Sequence, residues 1–205
     1  MEIALERQKI FAGIGSRKAV EVPEYYELGV DLGYAFASAG WRLRSGGAPG
    51  MDDAFEQGAS MVTDDMDIYL AWKGSHGHHS ALYGVDEAAM ALAASVHPAW
   101  DRLEQGPRKM HARNGYQVLG RTLDIPADVV VCWTADGCKD RRTRRPKTGG
   151  TATAIVIAAD RGIPVFNLQN DQCRRGLNAF LEKHKIRYRV PVSPLREQVQ
   201  IGLFG

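Results

Sequence analysis

The chain has 205 residues, 44% of them hydrophobic and 24% charged, which suits one well-packed domain and leaves scarcely enough for two. Its formal charge is only +2, and no apolar run approaches the roughly 20 residues that cross a bilayer. A helical membrane protein and a duplex-DNA surface that is basic over a whole face are both disfavoured. The N-terminal MEIALERQKIF has no basic-then-apolar export pattern. The three cysteines, Cys132, Cys138 and Cys173, form no C-x-x-C. A reduced, cytoplasmic setting is therefore expected.

In chain order, KIFAGIGSR (9–17) reads as a short buried strand running into Gly-Ile-Gly-Ser. VPEYYELGVDLGYAFASAG follows with helical spacing: Tyr26, Val30, Leu32, Ala35 and Phe36 fall near one face, Pro23 suits the first turn and Gly40 the stop. Trp41–Gly47 is a second strand ending in glycines, MDDAFEQGAS restarts a helix, and Met66–Trp72 is a third strand. Helices are predicted over about 85–96 and 107–122. Ala127–Thr134 is near-continuously apolar, as in a parallel strand covered on both faces. GTATAIVIAADRG predicts a helix, Ile163–Leu168 a fifth strand and RRGLNAFLEKHK a last helix. Alternation of strands and helices implies an α/β, Rossmann-like doubly wound, mainly parallel sheet with helices on both faces. One domain is expected over 1–205, with a core at about 9–185 and a C-terminal extension at 186–205.

Three predicted strand ends carry glycine loops: GIGSR, RSGGAPGMDD and KTGGTAT. A glycine turn ahead of a helix aims backbone N–H groups and the positive helix end at one point, which makes an anion site. Three such loops at corresponding strand ends, where open α/β sheets bind ligands, point to a nucleotide-type molecule. Ser16, Ser45, Thr151 and Thr153 add hydroxyl donors, and Arg17 and Arg44 add guanidinium forks. None of the loops matches G-x-x-x-x-G-K-[ST], and GIGSRK is not G-x-G-x-x-G, which disfavours a P-loop NTPase and a dinucleotide dehydrogenase.

FAGIGSRKA, RSGGAPGMDDAFEQGA, HARNGYQVLG, ADVVVCWT and GGTATA, in that order, resemble the blocks of the SLOG superfamily, which joins the DNA-processing protein DprA (Smf) with LOG-type nucleotide enzymes. The resemblance spans residues 9–168 and looks closest to small stand-alone DprA-like proteins of phages. Its most specific block is Ser45-Gly46-Gly47 with Gly50-Met51-Asp52, and Arg113-Asn114 with Gly120 is similar to the arginine–asparagine block of DprA. The resemblance implies strand-end loops that bind nucleotides, nucleotide-derived ligands or single-stranded DNA, in a homodimer or higher homo-oligomer.

LOG enzymes release a base from ribose 5′-monophosphate with a glutamate in a Pro-Gly-Gly-x-Gly-Thr-x-x-Glu block. Aligning Gly149-Gly150 on those glycines puts Val156 at the glutamate and Thr148 at the proline. An aliphatic side chain supplies no acid or base. Asp52 and Asp53 are the substitutes nearest to hand if the chain is an enzyme, and otherwise a first-turn pair favoured by the helix dipole.

The expectation is thus binding without hydrolysis of a nucleotide or ADP-ribose-type signal. SLOG domains sense such signals in antiviral systems, so the resemblance also implies a phage anti-defence role. Backbone amides of Gly46, Gly47, Gly149 and Gly150 would hold phosphate, Arg17 and Arg113 would neutralise it, Asp52 would contact a ribose or the helix start, and Gly15, Ser16, Gly50, Met51 and Asn114 are further ligand-binding candidates. No cofactor and no metal are expected. A displaced-carboxylate phosphoribohydrolase and a mediator binding single-stranded DNA, with Trp72, Trp100 or Trp133 as stacking platforms, are the alternatives. His76, His78 and His79 lack zinc-like spacing to a cysteine or carboxylate and read as a polar loop. His97 reads as a helix end, and His111 is a candidate contact beside Arg113. The cations after Cys138 are expected to lower its pKa without making it a nucleophile.

Positive charge is concentrated in KDRRTRRPK (139–147), where six of nine residues are Lys or Arg. The rest of the chain is net acidic. The stretch is expected to be an inserted loop at the mouth of the ligand site. It is either a lid carrying Arg141, Arg142, Arg144 and Arg145 or a solvated loop.

Overall fold

The structure, a computed structural model, describes residues 7–192. Its strands are β1 (Ile10–Gly15), β2 (Arg42–Ser45), β3 (Met66–Ile68), β4 (Val129–Trp133) and β5 (Val165–Asn167). Its helices are α1 (Pro23–Ser38), α2 (Met51–Ser60), α3 (Glu87–Val96), α4 (Gln105–Leu119), α5 (Ala152–Asp160) and α6 (Asp171–Lys183). The five strands form one parallel sheet in the order β3-β2-β1-β4-β5. This is the expected Rossmann-like α/β fold. Among the described residues, no helix is long and apolar enough to cross a membrane.

Side chains alternate across the central strands and build two cores. Phe11, Leu43, Val129, Val131 and Trp133 pack with residues of α1, α2 and α6, including Leu32, Phe36, Phe55 and Leu177. Ile10, Ala12, Ile14, Val130 and Cys132 pack on the other face with Val118 of α4 and Ile155 and Ile157 of α5. Every residue of β4 is buried, as its unbroken apolar run requires of a central strand covered on both sides. Trp133 is therefore a core residue packed against the tilted ring of Tyr25, with ring centroids 5.4 Å apart, and does not serve as an exposed platform.

Several element limits differ from the sequence reading. The inward face of α1 is carried by Tyr25, Leu28, Leu32, Ala35 and Phe36. Tyr26 and Val30 lie at its edge, and the Tyr26 hydroxyl bonds Asp53 at 2.5 Å and Gln57 at 3.1 Å on α2. The apolar run 66–72 keeps only three residues in the sheet, with Leu70 making an isolated bridge to Tyr83. Part of the predicted extension packs onto the domain: Ile186 and Val190 are buried. Asn178 bonds both the N–H and the carbonyl of Val190, at 2.7 and 2.9 Å. The remainder of the extension, from 193, lies outside the described residues.

The chain runs outward from β1 through β2 to β3, then returns through α3 and α4 to place β4 on the other side of β1. The carboxyl ends of β1 and β4 therefore flank the point where the winding reverses, and loops leaving them diverge to leave a crevice.

On one face α1 and α2 meet at near-backbone distance. A Cβ on Gly58 would lie 1.9 Å from the Val30 carbonyl oxygen, so no side chain fits without separating the helices. Gly58→Ala is expected to destabilise the fold by about 2–3 kcal/mol through overpacking. A urea midpoint equal to that of the parent protein would contradict this account of the α1–α2 contact.

Candidate functional site

At the winding reversal lies a cavity of about 540 Å³. The loop after β1 contributes Gly15, Ser16, Arg17 and Lys18. The segment after β4 contributes Ala135 and the turn Lys147–Thr151. One side of α4 supplies Pro107, Met110, His111, Arg113, Asn114 and Gln117, spaced three or four residues apart as neighbours on a helix face must be. Asp52, Ala48 and His76 complete one wall, and Ile14 and Ala154 lie in the apolar part. A larger, more open depression of about 690 Å³ lies between Asp136, Arg145 and Asn170, and Lys147 borders both.

Asp52 is the hub of the inner wall. Its carboxylate accepts from the Gly15 N–H at 2.8 Å, Arg113 Nη1 at 3.2 Å and Gln117 Nε2 at 3.3 Å. It thereby ties α2 to β1 and to α4. Burial pushes the carboxyl up, while the Arg113 guanidinium, the Gly15 N–H and the Gln117 amide draw it down without full compensation. Arg113 is itself buried, and among the described residues its Nε has no hydrogen-bond partner. Gly46 makes room for this pair, since a Cβ there would sit 1.2 Å from Arg113 Nη1.

The structure gathers Gly15, Ser16, Arg17, Asp52, Arg113, Asn114, Gly149, Gly150 and Thr151 around the cavity. It places the other candidates outside the lining. The Ser45 hydroxyl is buried and donates to the Gly13 carbonyl at 2.7 Å. Gly46 and Gly47 lie buried, the first under Arg113 and the second beside His78 and Leu70. Gly50, at φ 95°, turns the chain into α2 against Arg17, and Met51 is wholly buried in the core. Arg44 is held by Asp67 at 3.2 Å and the Ile125 carbonyl at 2.5 Å. Asp53 faces outward to Tyr26. Of the two aspartates, only Asp52 reaches the cavity.

Thr153 is buried behind the wall, where its hydroxyl lies 2.7 Å from His111 Nδ1. Burial, then His97, Arg144 and Arg113, push the His111 imidazole down to about 4. His97 caps the end of α3 and lies against His111, with ring centroids 4.5 Å apart. Of the histidine loop, His76 reaches the cavity, His78 Nε2 meets Glu56 at 2.6 Å, and His79 is exposed. Among the described residues, no three His, Cys, Asp or Glu side chains are grouped to hold a metal.

The basic stretch is cross-braced. Arg141 pairs with Asp160 at 2.6 Å and Arg144 donates to the Val96 carbonyl at 2.9 Å. Arg145 donates to the carbonyls of Arg142 and Arg144. The Thr148 hydroxyl donates to Asp136 at 2.5 Å and accepts from the Arg145 N–H at 2.9 Å. None of the four arginines assigned to a lid lines the cavity, whereas Lys147 does. Cys138 is buried, and burial raises its thiol pKa despite the neighbouring cations, contrary to the lowering expected from charge alone.

The sequence reading left out Lys18, His76, Gln117, Lys147 and Thr148 as cavity residues. The available signal was in α4, whose buried positions include Arg113, Asn114 and Gln117. A helix that buries its polar residues has no apolar stripe, so periodicity cannot show which face turns inward.

Asp52→Asn leaves Arg113 buried without a counter-charge, and a loss of about 3–5 kcal/mol is expected. The double change Asp52→Asn with Arg113→Met should recover part of it, and failure to do so in chemical denaturation would contradict the pairing. His111 gives a separate pH signature. Its folded pKa lies below the unfolded value, so as pH falls below 6.5 the unfolded chain takes up a proton that the folded chain refuses until about pH 4. Stability should drop by about 2 kcal/mol between pH 7 and pH 5 from this group. His111→Gln should remove that increment, as read from urea midpoints at the two pH values.

No protein-family model matches the chain, and neither does any curated protein. Two solved structures are similar to it at low identity. The Moco carrier protein of Chlamydomonas rheinhardtii is 17% identical with a TM-score of 0.47, covering 86% of each chain. DNA processing protein A from Helicobacter pylori, described in a single-stranded DNA binding mode, is 14% identical with a TM-score of 0.40. That alignment covers 87% of this chain and 83% of the other.

Proposed function

We propose that this chain binds a nucleotide-type ligand, a nucleoside phosphate or an ADP-ribose-like molecule, in the crevice between β1 and β4 and holds it without turnover. The observation that carries this reading is the charge on the cavity wall. Arg17, Lys18, Arg113 and Lys147 converge there against one carboxylate, Asp52, which is already engaged by Arg113. The surplus is positive, as an anion site requires. The Gly149–Gly150 turn leads into the N-terminus of α5 and is anchored by Asn114 Nδ2 on the Gly150 carbonyl at 2.9 Å. Ile14, Pro107, Met110 and Ala154 offer an apolar surface for a base, and the volume falls in the range of small-molecule sites.

Two features favour binding over hydrolysis. Val156, at the position of the LOG glutamate, is a residue of α5 and is fully buried in the core. The Asp52 oxygens already accept three hydrogen bonds, which leaves the carboxylate poorly disposed to act as a base.

Calorimetry with AMP and ADP-ribose tests the reading. Arg17→Ala and Lys147→Ala should each weaken binding by about tenfold, the worth of one charge-assisted hydrogen bond. Arg141→Ala and Arg142→Ala should leave it unchanged. Free adenine accumulating with wild-type protein would overturn the absence of turnover. Binding of an oligonucleotide alone, falling steeply with salt, would replace the reading with a single-strand one.

A further inference from the structure

The charge on the wall accounts for a phosphate but not for the polar edge that His111 adds beside Pro107 and Met110. The proton on that edge is decided by Thr153. The Thr153 side chain is wholly buried, and among the described residues its hydroxyl has a single partner, His111 Nδ1 at 2.7 Å. No backbone carbonyl one turn earlier in the chain accepts its proton, as happens for Ser60 and Ser95 elsewhere in the fold. If Nδ1 carried the ring proton, the threonine proton would be buried without an acceptor. The arrangement that satisfies both groups has the hydroxyl donating to Nδ1, and the proton of the neutral ring then sits on Nε2.

Nε2 is across the ring from the atom held by Thr153, and among the described residues it has no partner. His111 borders the cavity. The groups around the ring are His97 of α3, Arg144 of the basic stretch, Arg113 of α4 and Thr153 of α5. The cations among them oppose a second positive charge, so burial and charge together keep the imidazole neutral at pH 7. A neutral N–H flanked by apolar side chains suits an uncharged acceptor, whereas Arg17, Lys18 and Lys147 on the opposing loops suit the phosphate.

We propose that Thr153 fixes His111 as an Nε2–H donor that selects a nucleobase through a ring nitrogen or carbonyl oxygen. His111 is then the residue that distinguishes a nucleotide from a bare sugar phosphate. This rests on the anion reading above, and the test separates the two. Calorimetry would compare AMP with ribose 5-phosphate, which shares the phosphate and ribose but lacks the base. His111→Phe should weaken AMP by about tenfold and leave ribose 5-phosphate unchanged, the loss of one hydrogen bond in a half-buried site. His111→Gln, which restores an N–H near the same place, should recover most of the AMP affinity. Long-range proton–nitrogen NMR spectra of the ligand-free wild type should show the Nε2–H tautomer, and Thr153→Val should shift it toward a mixture. A Nδ1–H tautomer in the wild type, or equal changes for both ligands in His111→Phe, would overturn the base contact while leaving the anion site standing. A wild-type protein that binds neither ligand would overturn both.

Discussion

The buried pair of Asp52 and Arg113 is the constraint around which the site is arranged. One carboxylate joins the end of β1, the start of α2 and the middle of α4. Its geometry explains the glycine at position 46, where any side chain would occupy the space of the guanidinium. It also explains why α4 can bury Arg113 and Gln117 instead of an apolar stripe. Ion pairs of this kind contribute little net stability, because the attraction is spent on removing two charges from water. Their effect is on position: once both are buried, neither can move without leaving the other unpaired. The loop after β1 and the inner face of α4 are thereby held on opposite sides of one crevice.

That arrangement divides the cavity by chemistry. Exposed cations on the loops, Arg17, Lys18 and Lys147, lie on the solvent side. Braced polar groups, Asp52, Asn114 and the His111–Thr153 pair, lie deeper. The long side chains at the mouth are exposed, whereas the deeper polar groups are held by hydrogen bonds to the protein itself.

The basic stretch shows how local composition can mislead about function. Six cations in nine residues look like one electrostatic unit. In the fold they are distributed among separate tasks: Arg141 to Asp160, Arg144 to the end of α3, Arg145 to its own loop, and Lys147 alone to the cavity. Charge density along a chain becomes a field at a site only if the backbone turns the side chains the same way, and the turn at Thr148 and Asp136 does not.

The chain alone made the order of strands and helices legible, because apolar runs such as Val129–Trp133 and glycine stops such as Gly40 are local properties. It also pointed to strand ends as the place of the site, since a doubly wound sheet puts its loops there. It did not determine which of the glycine loops face the cavity. Gly46 and Gly47 share the composition of Gly149 and Gly150, yet the first two are packed beneath Arg113 and beside His78 while the last two are exposed at the cavity. Nor could it pair His111 with Thr153 or Asp52 with Gln117, separated by 42 and 65 positions. Those contacts depend on the rotation of α4 about its own axis, which is set by packing against α3 and α5. A helix with polar residues on its buried face carries no periodic mark of that rotation, so it emerges only once the helix is packed in the fold.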